Sequence, residues 1–152
     1  MACLAGDTTS HGTFEPMLVL RKELHDQMVA HCLDGYPLEA CGLLAGVLDS
    51  DSTATVAGLY PTDNVAASAR VYEVDARGML RADREAEAEG RQILGVYHSH
   101  THTEAKPSPT DISQAPDPGW RYVLVSLRDA HPSVRSWRIR GGKIIEEPVV
   151  LE

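Results

Sequence analysis

His98 and His100 are followed at short range by Ser108 and Asp111, in the stretch His98-Ser-His100-Thr-His-Thr-Glu-Ala-Lys-Pro-Ser108-Pro-Thr-Asp111. Two imidazoles and a carboxylate are the residue types that hold a divalent metal ion. The preceding run, Ile93-Leu-Gly-Val96-Tyr97, reads as a buried strand. Side chains on a strand alternate faces, so His98 and His100 point the same way, with Cα atoms about 6.6 Å apart. Pro107 and Pro109 stop the strand. Ser108-Pro109-Thr110-Asp111 then reads as a helix start, with Ser108 as N-cap, proline at the first helical position and an acid in the first turn. Pro116, Pro118 and Gly119 keep that helix short. A loop between strand and helix folds Asp111 back toward the histidines. Two histidines, one carboxylate and water make an open tetrahedral zinc site, whereas closed structural sites use four protein ligands.

His102 offers a competing ligand set. In a continuing strand it lies about 13 Å from His98, too far for one ion. A turn after His100 would change that, so His102 is read as a pocket-rim histidine with the alternative open. Taken alone, Ser108 and Asp111 are a capping pair and a His-x-His is a surface pair. The combination, placed after a buried strand, favours the metal. Water activated at such a site needs a proton acceptor that is not itself a ligand. The best upstream candidate is Glu39, in Tyr36-Pro-Leu-Glu39-Ala-Cys41-Gly-Leu-Leu-Ala-Gly46, at the mouth of an apolar segment that reads as a central strand. Without the histidine motif, Glu39 would read as a solvated surface acid.

Glu39, His98-Ser-His100 and Ala105-Lys-Pro107-Ser108-Pro-Thr-Asp111 together resemble the JAMM (MPN-plus) zinc metallopeptidases. Their pattern is a distant Glu, His-x-His, seven residues, Ser, two residues, Asp, and every spacing agrees. The resemblance runs from about Met17 to Val150. It implies an α/β domain of the cytidine-deaminase-like kind, a mixed sheet flanked by helices. It implies one zinc ion per chain, held by His98, His100 and Asp111. Glu39 would take a proton from water and pass it to the leaving amine, and Ser108 would hydrogen-bond the oxyanion. Thr101 departs from the pattern, since the family usually has proline after the second histidine. The passages Glu39-Ala-Cys41-Gly, Tyr97-His-Ser-His100-Thr, Thr103-Glu-Ala, Tyr122-Val-Leu-Val-Ser126 and Glu146-Glu-Pro-Val resemble a narrower group of small actinobacterial members. These release cysteine from a ubiquitin-like sulfur-carrier protein. That likeness implies a carrier partner with a C-terminal Gly-Gly tail. A general deconjugating isopeptidase and a non-catalytic MPN scaffold are the other readings. The scaffold form usually lacks a ligand or the glutamate, and this chain keeps all of them. Deaminases use His-x-Glu with Pro-Cys-x-x-Cys, and neither is present.

The chain of 152 residues fits one domain with its own core. Its net charge of −8 argues against a nucleic-acid partner, which would call for a basic face. No transmembrane run is present, so no membrane partner is expected. Residues 1–16 lack a basic start and a long apolar core. They read as a flexible extension carrying an inert His11, ahead of a catalytic domain over 17–152. Cys3, Cys32 and Cys41 are odd in number and unpaired in spacing, which favours free thiols and a cytoplasmic setting. Cys41 shares the face of Glu39 on a strand. A fourth ligand would close the site, so a small buried thiol is its expected role.

No internal repeat or linker divides the chain. Met17 to Leu20 reads as a strand. Leu20, Leu24, Met28 and Cys32 recur every four residues, the stripe of an amphipathic helix ended by Gly35 and Pro37. Residues 42–48 and 53–60 read as a strand pair around Asp49-Ser-Asp-Ser52, and Arg70 to Val74 as a further strand. Asp75 N-caps a second helix running to Glu89, with Gly90 past its end and a solvated charged face. Tyr122 to Leu127, Val134 to Ile139 and Lys143 to Val149 complete a mixed sheet. The regions Thr53–Tyr60 and Arg70–Val74 are the candidate edge along which a substrate tail would lie extended.

Overall fold

The computed structural model describes residues 15–49 and 53–152. The expected extension and His11 therefore lie almost wholly outside the described residues, as does the tip of the turn at 50–52. The elements run β1 (Met17–Leu20), α1 (Lys22–Gly35), β2 (Cys41–Asp49), β3 (Thr53–Thr62), α2 (Ala76–Ala88) and β4 (Gln92–His100). They continue with α3 (Pro109–Ser113), β5 (Arg121–Ser126), β6 (Ser133–Arg140), β7 (Lys143–Glu147) and β8 (Val149–Leu151). The strands form one sheet in the order β7-β6-β5-β4-β2-β3-β1-β8. β4 runs antiparallel to β2 and parallel to β5, so the sheet is mixed, as the α/β reading requires.

Helices cover both faces, because each face carries an apolar set that must leave water. On one side the expected stripe of α1, Leu24, Met28 and Cys32, packs with Leu18, Leu44, Tyr97, Val123 and Val125. On the other, Leu43, Val96, Tyr122, Leu124, Trp137 and Ile139 form a second core beneath α2. Only Ala82 and Ala86 of α2 are buried, and their small side chains let the helix lie close to the sheet. Asp75 caps α2 through its carboxylate to Arg77 N and Gly78 N, and Gly90 follows at φ 71°, both as the sequence predicts. The far edge is held by a buried Arg121–Glu147 ion pair at 3.1 Å, with Ser136 Oγ donating to the same carboxylate oxygen at 2.8 Å.

Three boundaries differ from expectation. Arg70 to Val74 is not a strand; one isolated bridge, Asn64 to Val74, is all the pairing it makes. Side chains take up its backbone groups instead: Asn64 pairs with Val71 O and Glu73 N, and Ser68 Oγ accepts from Arg70 N and Val71 N. The expected strand over Lys143 to Val149 is two strands, because Pro148 has no N–H to give the ladder. β3 is also not a free edge throughout. β1 pairs with Thr53, Ala54 and Thr55, while no strand pairs with the outer side of Ala57–Thr62 among the described residues.

Gly95 sits where β4 and β5 run closest, and a Cβ there would collide with the Arg121 carbonyl oxygen. Gly95→Ala is therefore expected to force the two strands apart. Urea unfolding should show a loss larger than the roughly 1 kcal/mol typical of point substitutions.

Candidate metal centre and active site

β4 is buried from Leu94 to its end, and His98 and His100 project from the same face of its last turn of ladder. Cys41 of β2 stands directly opposite His98. The pairing continues past the strand end: Ser99 N donates to Ala40 O at 3.0 Å, and Ala40 N donates to Ser99 Oγ at 2.9 Å. That extension brings Glu39 opposite His100, with only 4% of its surface exposed. The expectation that an acid before β2 reaches the end of a neighbouring strand thus has its cause in one extra rung of main-chain pairing.

Asp111 arrives from the other side. Chain 101–108 is tied down by later strands: Ser126 Oγ donates to Thr103 O at 2.6 Å, Leu127 N to His100 O at 2.9 Å, and Trp137 Nε1 to Ala105 O at 2.9 Å. α3 then starts with the full capping box. Ser108 Oγ accepts from Asp111 N at 3.1 Å, and Asp111 Oδ2 accepts from Ser108 N at 2.9 Å. The cap aims the Asp111 carboxylate at the two imidazoles. His100 Nε2 lies 3.0 Å from Oδ2, and His98 Nε2 lies 3.3 Å from Oδ1.

His98, His100 and Asp111 each offer an atom within 4.8 Å of the others, so the three could hold a metal ion. The imidazoles behave as such a set should. His100 Nδ1 is 2.8 Å from Glu104 O, which fixes the ring with Nε2 toward Asp111. Both nitrogens of His98 are buried without a hydrogen-bond partner, although Asp111 is near; the approach is close but misaligned for a proton. A buried Nε2 without a hydrogen-bond partner, beside the Asp111 carboxylate, suits a metal ligand. Tyr72 stacks on His98 with ring centroids 4.0 Å apart and fixes its plane.

The electrostatics follow from burial. Burial lowers the pKa of His98 more than Asp111 raises it. Burial also acts against protonated His100, but Asp111 and the Glu104 carbonyl outweigh it and raise its pKa. Burial pushes Asp111 up, yet its hydrogen bond to His100 and the nearness of His98 hold it well below the usual carboxylate range. Glu39 lacks such partners. Burial raises its pKa to about 7, with His100 acting against the shift and Asp111 adding to it.

A cleft of about 520 Å³ opens on this group, lined by Glu39, His100 and Ser108 together with Ala69, Arg70 and His102. His102 takes the rim position expected of it, 3.4 Å from Tyr36 at its Nε2, outside the metal-capable cluster. Cys41 and Cys32 are free and buried, and Cys41 Sγ contacts Thr62 Oγ1 and Asp63 O rather than the cluster. Tyr72 and Asn64 gave no sequence signal. Asn64 Nδ2 donates to Glu39 O and to Val71 O, both at 3.0 Å, so one side chain fastens loop 63–73 to the glutamate.

A mixed sheet with this cluster at the end of its central strand defines a JAB-type domain. The chain belongs to the family of prokaryotic homologs of the JAB domain (Prok-JAB), whose model matches residues 21–140. It is 42% identical over 134 residues to the CysO-cysteine peptidase of Mycobacterium tuberculosis, covering 88% of this chain and 90% of that one. It is 36% identical over 140 residues to the desampylase of Haloferax volcanii, covering 89% and 96%. A solution structure of a protein from Desulfitobacterium hafniense superposes with a TM-score of 0.83 at 34% identity, over 90% of this chain and 93% of that one. No helix among the described residues is long and apolar enough to cross a membrane.

The raised Glu39 carboxyl fixes the sign of a pH effect in the metal-free protein. A folded-state pKa above the unfolded value means the folded state binds the extra proton. Stability from this group is then present below about pH 4.5 and lost as pH rises to about 7. Glu39→Gln removes that loss. In chelator-treated protein the variant should gain urea resistance relative to wild type between pH 5 and pH 8. A constant difference across that range would show that Glu39 ionises normally.

Proposed function

We propose that this protein is a zinc-dependent peptidase that hydrolyses the amide at the C-terminus of a ubiquitin-like sulfur-carrier protein and releases cysteine or a short extension. The observation that carries the reading is the convergence of His98, His100 and Asp111 beside Glu39 and Ser108 on one open cleft. The names of the relatives, a peptidase and a desampylase, support a hydrolase acting on a protein tail.

His98 Nε2, His100 Nε2 and an Asp111 oxygen would hold the ion. Two nitrogen donors and one oxygen donor suit zinc and leave a coordination place open. A bound zinc supplies a Lewis acid that acidifies water to near neutrality and polarises the scissile carbonyl. Glu39 accepts a proton as the water oxygen bonds to the carbonyl carbon. A carboxyl that burial holds near neutral pH can both take and return a proton there. When the carbon–nitrogen bond breaks, Glu39 delivers that proton to the departing nitrogen. Ser108 Oγ accepts from Asp111 N, which leaves its O–H to donate toward the oxyanion. The Gly-Gly tail would lie extended against the outer side of Ala57–Thr62, where backbone groups lack a strand partner.

Two outcomes test the assignment of roles. His98→Ala and Asp111→Ala should each drop zinc content from about one per chain to near zero by elemental analysis; full zinc in both would refute the ligand set. Glu39→Gln should keep zinc and lose turnover by roughly the 10²–10⁴-fold attributed to general acid–base catalysis. The substrate is tested by intact mass spectrometry of two adducts of one ubiquitin-like carrier, a C-terminal cysteine and a lysine isopeptide. Chelator-sensitive cleavage of the first supports the reading, and cleavage of the second alone makes the protein a deconjugating isopeptidase.

A further inference from the structure

A leaving group with a free carboxylate brings a charge problem to this cleft. In the proposed reaction Glu39 protonates the departing nitrogen. In an amino acid a single carbon separates that nitrogen from the carboxylate, so the carboxylate enters the space Glu39 lines. There it lies beside Glu39, in a chain of net charge −8. A guanidinium beside Glu39, apart from the metal ligands, would offset that repulsion and hold the carboxylate.

Arg70 lines the same cleft as Glu39, His100 and Ser108. Four guanidinium groups have acidic partners, Arg91 with Glu89, Arg128 with Asp129, Arg121 with Glu147 and Arg135 with Glu146; Arg70 differs from the remaining arginines in lining this cleft. Among the described residues no carboxylate pairs with Arg70, whose only hydrogen bond is made by its backbone, from N to Ser68 Oγ at 3.0 Å. A guanidinium that faces a cleft without a partner has its planar fork of donors available for a carboxylate.

The backbone on both sides of Arg70 is held to the catalytic group. Ser68 O accepts from Glu39 N at 2.8 Å. Ala69 O accepts from Thr101 Oγ1 at 3.2 Å, and Val71 O accepts from Asn64 Nδ2 at 3.0 Å. Thr101 follows His100 directly, at the position where the resembled family usually has proline, and proline has no hydroxyl to give. The departure from the pattern thus supplies a bond that sets the loop bearing Arg70 at a fixed distance from His100.

We propose that Arg70 binds the free α-carboxylate of the leaving group, so that the site selects carrier proteins ended by an amino acid over lysine-linked conjugates. The ε-nitrogen of a lysine has no carboxylate one carbon away, and such a substrate leaves Arg70 unsatisfied. The inference rests on the peptidase reading of the site, and its test separates the two. Two peptides ending in Gly-Gly-Cys are used, one with a free C-terminal carboxylate and one with a C-terminal amide. Hydrolysis by the zinc-loaded protein gives the ratio of their kcat/KM values. Binding is measured separately by NMR titration of the arginine side-chain signals in zinc-loaded Glu39→Gln protein. The carboxylate peptide is expected to be preferred about tenfold or more, as a hydrogen bond between charged groups gives. The preference should fall toward one in Arg70→Gln and survive in part in Arg70→Lys. Equal treatment of the two peptides by wild type, or an unchanged ratio in Arg70→Gln, overturns the proposal. If neither peptide is hydrolysed, the peptidase reading is decided on the carrier adducts above and binding alone decides the role of Arg70. A carboxylate preference lost in Arg70→Gln then upholds the role of Arg70, and its absence refutes it.

Discussion

The Asp111 carboxylate holds the candidate site together. It is almost fully withdrawn from water, and a buried ionised carboxylate is costly unless its lone pairs are filled. One oxygen is filled by His100 and by the Ser108 N–H, while the other faces His98. The same atom set therefore begins a helix and closes a ligand triangle. α3 spans only Pro109–Ser113, too short to be stable by propensity, so its form depends on the cap and on Pro109. Helix and ligand geometry stand or fall together.

That arrangement depends on distant parts of the chain. The loop delivering Asp111 hangs from Ser126 and Trp137, which belong to β5 and β6. Those strands are held in turn by the second core and by the Arg121–Glu147 pair under Ser136. The histidines depend on β2 and β5, which flank β4 on either side. Precision at the site is a property of the sheet, and the strands outside the motif supply it.

Much of this was legible in the sequence because it is local. The His-x-His alternation, the Ser108–Asp111 cap, the stripe of α1 and the Asp75 cap each follow from neighbours a few residues apart. Glu39 was legible as an acid at the mouth of a central strand and as the distant glutamate of the resembled motif, but not the rung that brings it to the histidines, which joins Ala40 to Ser99. What misled was segment 70–74. Its alternating Val71, Tyr72 and Val74 look like strand residues, yet Asn64 takes the Val71 carbonyl and Tyr72 turns to stack on His98. A side chain that replaces a strand partner leaves no periodic trace. Pro148 was read through as part of one strand, because a break between two strands of one sheet resembles a bend in a single strand until the partners are known.

Asn64 uses both ends of its amide. Nδ2 bonds Glu39 O and Val71 O, and Oδ1 accepts from Ala66 N and Glu73 N. Loop 63–73 and the segment carrying Glu39 thus form one stiff lever with no slack between its arms. Force on the outer surface of that loop is therefore carried to the Glu39 backbone through one amide. Substituting Asn64 would thus release two segments at once, the loop and the strand entrance that carries the buried acid.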